Sequence, residues 1–95
     1  MIKKKENTQP DNLVFEQRLH NVRVSIWENK DKEGKPFHNV TVVRRFQSGQ
    51  NEWSNSNSYT GLGDVALLKA AVQLAEQFLI SISRTQAESR EDVLL

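Results

Sequence analysis

The sequence predicts an α+β domain, an antiparallel meander followed by one long helix. Three observations carry this. Val22, Val24 and Ile26 alternate with Arg23, Ser25 and Trp27 in the stretch VRVSIWEN. A second β-rich run, Phe37 to Gln47, follows a charged linker, NKDKEGKP, that holds Gly34 and Pro36. After Gly61 and Gly63 comes DVALLKAAVQLAEQFLISI, Asp64 to Ile82, with no internal glycine or proline. Period-two alternation marks half-buried strands, and an uninterrupted run of strong helix formers marks a helix.

The first 12 residues are polar, contain Pro10 and offer no face to bury, so a disordered tail is expected there. A single β-β-β-α domain is expected over 13–83, with three to four strands. The first extended segment runs from about Phe15 to Glu28, and Asn21 marks a bend within it. The linker makes a long hairpin loop between the first two β-rich runs. A tighter turn at Ser48-Gly49-Gln50 leads to the third run, Asn51 to Thr60. Alternation there sets Trp53 and Tyr59 against Ser54, Ser56 and Ser58. A face made only of serine is a poor core face, so Trp53 and Tyr59 are expected to point inward. Asp64 suits the positive end of the helix dipole. The segment 84–95 reads as a flexible or helix-extending tail, ending in Val93, Leu94 and Leu95, which could dock on a partner.

The helix carries two apolar lines. Val65, Leu68, Val72 and Leu79 form one; Leu67, Ala71, Leu74 and Phe78 form another, about 90–120° further round. Lys69, Gln73, Glu76 and Gln77 form the polar strip. A three-stranded sheet covers one apolar line. The other needs a terminal segment or a second copy of the chain. The dimer reading is preferred, with Leu67, Ala71, Leu74 and Phe78 at a two-fold helix contact.

Composition agrees with the need for a partner. A chain of 95 residues without cysteine has neither disulfides nor thiolate metal sites to add to a small core. Its 13 basic and 12 acidic residues give a net charge of +1, without the basic excess of a strong duplex-DNA binder. The N-terminus has no apolar signal region, and no apolar run reads as a membrane span, so a soluble cytoplasmic protein is expected.

No catalytic constellation is present, and the chain reads as a non-enzyme without cofactor or metal. His20 and His38, the only histidines, could be cross-strand neighbours but make a weak metal signal. Glu28, Asp31, Glu33 and Glu52 read as solvated charge. Gly61-Leu62-Gly63 is too short to cradle a phosphate. The remaining candidate is the sheet face opposite the helix. It would carry Arg23, Ser25 and Trp27, then Thr41, Val43 and Arg45, then Ser54, Ser56 and Ser58. Cations, hydroxyls and an aromatic on an open sheet suit single-stranded nucleic acid, phosphates meeting the cations and a base stacking on the ring. Lys30, Lys32 and Lys35 of the linker and Lys3, Lys4 and Lys5 of the tail add charge. A dimeric protein-interaction module without nucleic-acid binding is the alternative, engaging a protein partner through this face or the C-terminal hook.

VRVSIWEN, HNVTVVRRFQSGQNEW, SYTGLGD and the helix Val65 to Ile82 together resemble the positive-cofactor-four family of single-stranded-DNA-binding transcriptional regulators, whose superfamily includes whirly-type proteins. The likeness is nearest to short uncharacterised bacterial members and spans about Leu19 to Ile82. It implies a curved sheet, a homodimer through the helices, and single-stranded DNA or RNA along the sheets in a transcription or replication accessory role. By position, Arg23, Trp27, Lys30, Lys32, Lys35 and Arg45 would fall on or beside that channel. The third strand departs from the family in being rich in serine and asparagine where lysines would be expected.

Overall fold

In a computed structural model of the chain, the backbone is described for residues 11–94 and the side-chain surroundings for 11–85. Four strands form one antiparallel sheet in chain order: β1 (Leu13–Leu19), β2 (Val22–Lys30), β3 (Pro36–Gly49) and β4 (Glu52–Ser56). One helix, α1 (Gly61–Leu94), follows. The α+β class and the order of meander then helix are as the sequence predicts. The tail expectations for 1–10 and the placement of Lys3, Lys4, Lys5 and Leu95 lie outside the described residues.

The first extended segment is two strands. His20 and Asn21 make a tight turn, His20 adopting φ 59°, and β1 folds back on β2 with Leu19 opposite Val22. Asn21 does more than bend the chain. Its carbonyl accepts from the Arg45 N–H at 2.7 Å, and its side-chain amide donates to the Arg45 carbonyl at 3.3 Å. The β2–β3 loop is organised by Asp31, whose Oδ1 accepts from the backbone N–H groups of Glu33 and Lys35, both at 2.9 Å. Gly34 supplies the positive φ, 84°, that this loop requires.

Register assigns the faces. Ile26 stands opposite Phe15 and Val40; Val24 opposite Gln17 and Val42; Val22 opposite Leu19 and Arg44. Alternating side chains therefore share one face across three strands. Val22, Val24 and Ile26 are fully buried there beneath Ala71 and Ala75 of α1, as their alternation predicts. Phe15, Leu19, Val42, Tyr59, Leu67, Phe78 and Leu79 pack around this cluster. The Phe15 and Phe78 rings lie 5.0 Å apart. Each fully buried aliphatic side chain contributes about 1.5–3 kcal/mol.

The start of α1 is tied to the sheet. Asp64 Oδ2 accepts from the Thr60 N–H at 3.0 Å and pairs with Arg44 at 3.4 Å. Arg44 Nε also donates to the Ser58 carbonyl at 2.8 Å. Asp64 thus fills the first-turn role its position suggested, and it anchors the helix as well.

Three expectations are corrected. α1 rests on β2, β1 and β3 and does not touch β4, so neither face of β4 is a core face. Trp53, opposite Gln47 on the face away from the helix, is 53% exposed. Ser54 and Ser56, opposite Phe46 and Arg44, take the helix side. Alternation does not carry from Trp53 to Tyr59 because β4 ends at Ser56, where the Ser58 N–H turns back to Ser56 Oγ at 2.9 Å. Tyr59 alone packs inward. The second correction concerns the helix. Ala71 is fully buried, and Leu67 and Phe78 pack on the same cluster, so the line expected to meet a second copy is largely the one that meets the sheet; Leu74 at its edge is half-buried. The uncovered line holds Val65, Val72 and Ile80. The third is that Gly61–Thr85, whose most apolar 18-residue window has mean hydropathy 1.5, is long and apolar enough to cross a membrane by length and composition.

Candidate nucleic-acid interface

The face opposite the helix is open across all four strands among the described residues. Its cross-strand rows run Leu13–Trp27–Asn39, Glu16–Ser25–Thr41, Arg18–Arg23–Val43, Arg45–Asn55 and Gln47–Trp53. Arg23, Trp27 and Arg45 fall on this face, as the alternation predicts. Lys30, Lys32 and Lys35 are exposed at its far end, where the loop interleaves them with Asp31 and Glu33. The serines expected from the third strand are replaced here by Trp53 and Asn55.

Trp27 is half-buried, and its indole N–H donates to Thr41 Oγ1 at 3.1 Å. The ring is therefore tethered to the sheet by its edge. Beside it, Asn12 donates to Asn29 at 3.2 Å and Asn29 to Asn39 at 2.9 Å, a row of side-chain amides closing that end. Ser25 is only 5% exposed. Larger neighbours crowd a small residue at the centre of the sheet, which leaves its hydroxyl little reach toward a ligand.

The opposite end is different in charge and in accessibility. Arg18 and Arg23 are direct cross-strand partners, a like-charge pairing that is unfavourable on its own. Glu16 offsets one of them, lying 3.5 Å from Arg23. Arg18 and Arg45 have no ion pair among the described residues. The Arg45 guanidinium sits over the Trp53 ring, 4.8 Å from its centroid. Such a contact at an exposed site contributes about 0.5–1 kcal/mol, whereas a base on an aromatic ring contributes about 1–3 kcal/mol. Arg18, His20, Asn21, Arg45, Gln47 and Trp53 line an open concavity of about 430 Å³.

Trp53 and Arg18 were not legible as site residues. The serine face of its strand points Trp53 toward the core, although β4 has no core face. Arg18 lay in a stretch whose alternation was unclear until the turn at His20 and Asn21 set its register.

The histidines are not neighbours. His20 lies in the β1–β2 turn, while His38 is opposite Glu28 near the other end of the sheet, 3.6 Å from its carboxylate. No group of three potential metal ligands occurs among the described residues. On the helix side, burial raises the pKa of Tyr59 above its ordinary 10.0, partly countered by Arg44 and reinforced by Asp64. Its hydroxyl is buried without a hydrogen-bond partner among the described residues. A second concavity, lined by Val40, Val72, Ala75, Leu79 and Ile80, is apolar and lies between β3 and the helix flank.

No protein-family model, no curated protein and no solved structure matches this chain.

Proposed function

We propose that the protein is a non-enzymatic binder of single-stranded nucleic acid, acting as a homodimer, with the strand lying across the open sheet face. The observation that carries the reading is the combination on that face of Arg18, Arg23 and Arg45 with two tryptophans, left uncovered by α1. Guanidiniums meet phosphates and aromatic faces meet bases, without need for a sequence code. The near-zero net charge makes binding weaker than that of a strongly basic protein. It also concentrates the attraction where the arginines are. A transcription or replication accessory role suits a binder of this kind.

The homodimer is supported by the small core and the exposed helix line. Five hydrophobic residues make up the fully buried cluster of the described chain, few for a domain with no disulfide to reinforce it. Val40, Val72 and Ile80 are 40%, 50% and 44% exposed around one apolar groove. The radius of gyration is 17.2 Å, against about 12 Å for a compact chain of this length. A second copy related by a two-fold axis supplies apolar surface of the same kind and needs only one self-complementary patch.

The test is the salt dependence of oligonucleotide binding. A labelled thymidine 20-mer should bind at low salt, with log affinity falling linearly against log salt concentration. Absence of binding at low ionic strength would remove the reading.

A further inference from the structure

Building on that reading, we infer that the arginine end of the open face is the anchoring subsite, taking one nucleotide unit with its base on Trp53 and its phosphate between Arg18 and Arg45. Trp27, in this assignment, is a packing residue.

The two rings differ in availability. Trp27 sits within the sheet, its N–H held by Thr41 and its strand flanked on both sides. Trp53 belongs to the edge strand β4, is more than half exposed, and carries over its ring a guanidinium that a base can replace. When a base takes that place, the freed Arg45 guanidinium turns from the ring toward the phosphate that arrives with it. The same residue thus guards the ring in the free protein and binds charge in the complex. Arg45 is set for this because Asn21 holds its backbone on both sides. Arg18 stands at the same concavity with no carboxylate paired to it among the described residues.

The lysine loop lacks these features. Asp31 and Glu33 lie between its lysines, the exposed Phe37 ring beside it has no guanidinium over it among the described residues, and its nearest concavity is lined by Asp11 and Glu28 as well as Lys30. A nucleotide is favoured over an acidic peptide because the guanidiniums are coupled to an aromatic face, which a carboxylate does not use.

The experiment compares the full chain with Trp53→Ala, Trp27→Ala and Arg45→Gln for binding of a labelled thymidine 20-mer, each checked for an unchanged melting curve. Trp53→Ala should lower affinity about 5- to 150-fold, the range of one lost base stack. Arg45→Gln should reduce the salt slope by about 1. Where an alanine variant melts early, emission in Trp27→Phe isolates Trp53, and that emission should be quenched on addition of the oligonucleotide. Wild-type binding that survives in Trp53→Ala but is lost in a stably folded Trp27→Ala overturns this assignment and leaves the general reading standing. Failure of the wild type to bind takes down both. Displacement of the oligonucleotide by polyglutamate at equal charge, with equal sensitivity to Trp53→Ala, would overturn the nucleotide in favour of an acidic protein partner.

Discussion

On one side of β2, Val22, Val24 and Ile26 are sealed against Ala71 and Ala75; on the other, Arg23, Ser25 and Trp27 face outward with no layer over them among the described residues. The same nine-residue strand therefore belongs to two environments. Its inward side is fixed by packing, where every methylene counts. Its outward side is fixed by local polar contacts, Arg23 with Glu16 and Trp27 with Thr41. Core packing and surface contacts can thus be altered separately within one strand.

The sharpest way to break this division is on the buried side. Ile26→Ala should cost about 2–5 kcal/mol of stability, read by chemical denaturation, because the removed side chain leaves a cavity under the helix. A loss below about 1 kcal/mol would mean that the helix does not hold the sheet as described. Next comes the helix flank. Val72→Glu should convert a dimer to a monomer in sedimentation while leaving the helix signal in circular dichroism, since Val72 lies at the groove and outside the fully buried cluster. An unchanged mass would show that a different surface, or none, joins two copies. The smallest effect belongs to Tyr59→Phe. Its hydroxyl has no partner to lose, so stability near neutral pH should change by no more than about 0.5 kcal/mol, or rise. The same variant removes a pH dependence. With the folded pKa raised, the unfolded chain ionises first, so wild-type stability holds below pH 10.0 and declines above it. The variant should lack that decline, apart from any shared with other groups.

Much of the frame could be read from the chain alone. The β2 and β3 alternation, the charged loop between them and the glycine-marked start of the helix each depend on short-range pattern. What escaped depends on lateral placement. The side toward which β4 turns its tryptophan is set by how far the helix reaches across the sheet, and the helix stops at β3. A rule that sends aromatics inward fails for a strand with no inside. The helix posed the same difficulty. Two apolar lines are visible in its sequence, but which one meets the sheet depends on the small residues Ala71 and Ala75, which let the backbone approach β2. For the site, Arg23, Trp27 and Arg45 followed from alternation, whereas Arg18 and Trp53 required the turn and the edge to be known.

His20 gives the arginine end one further property. A left-handed backbone is easily occupied by glycine, while a side-chain-bearing residue there gives up about 1 kcal/mol or more. Here that seat is filled by an imidazole at the rim of the concavity beside Arg18 and Arg45. A glycine at this turn would make a more stable fold, and a blunter one. It would withdraw a ring able to donate or accept a hydrogen bond from the rim of that concavity. The turn is thus a point of exchange between folding strength and surface chemistry, and a single residue sets the balance.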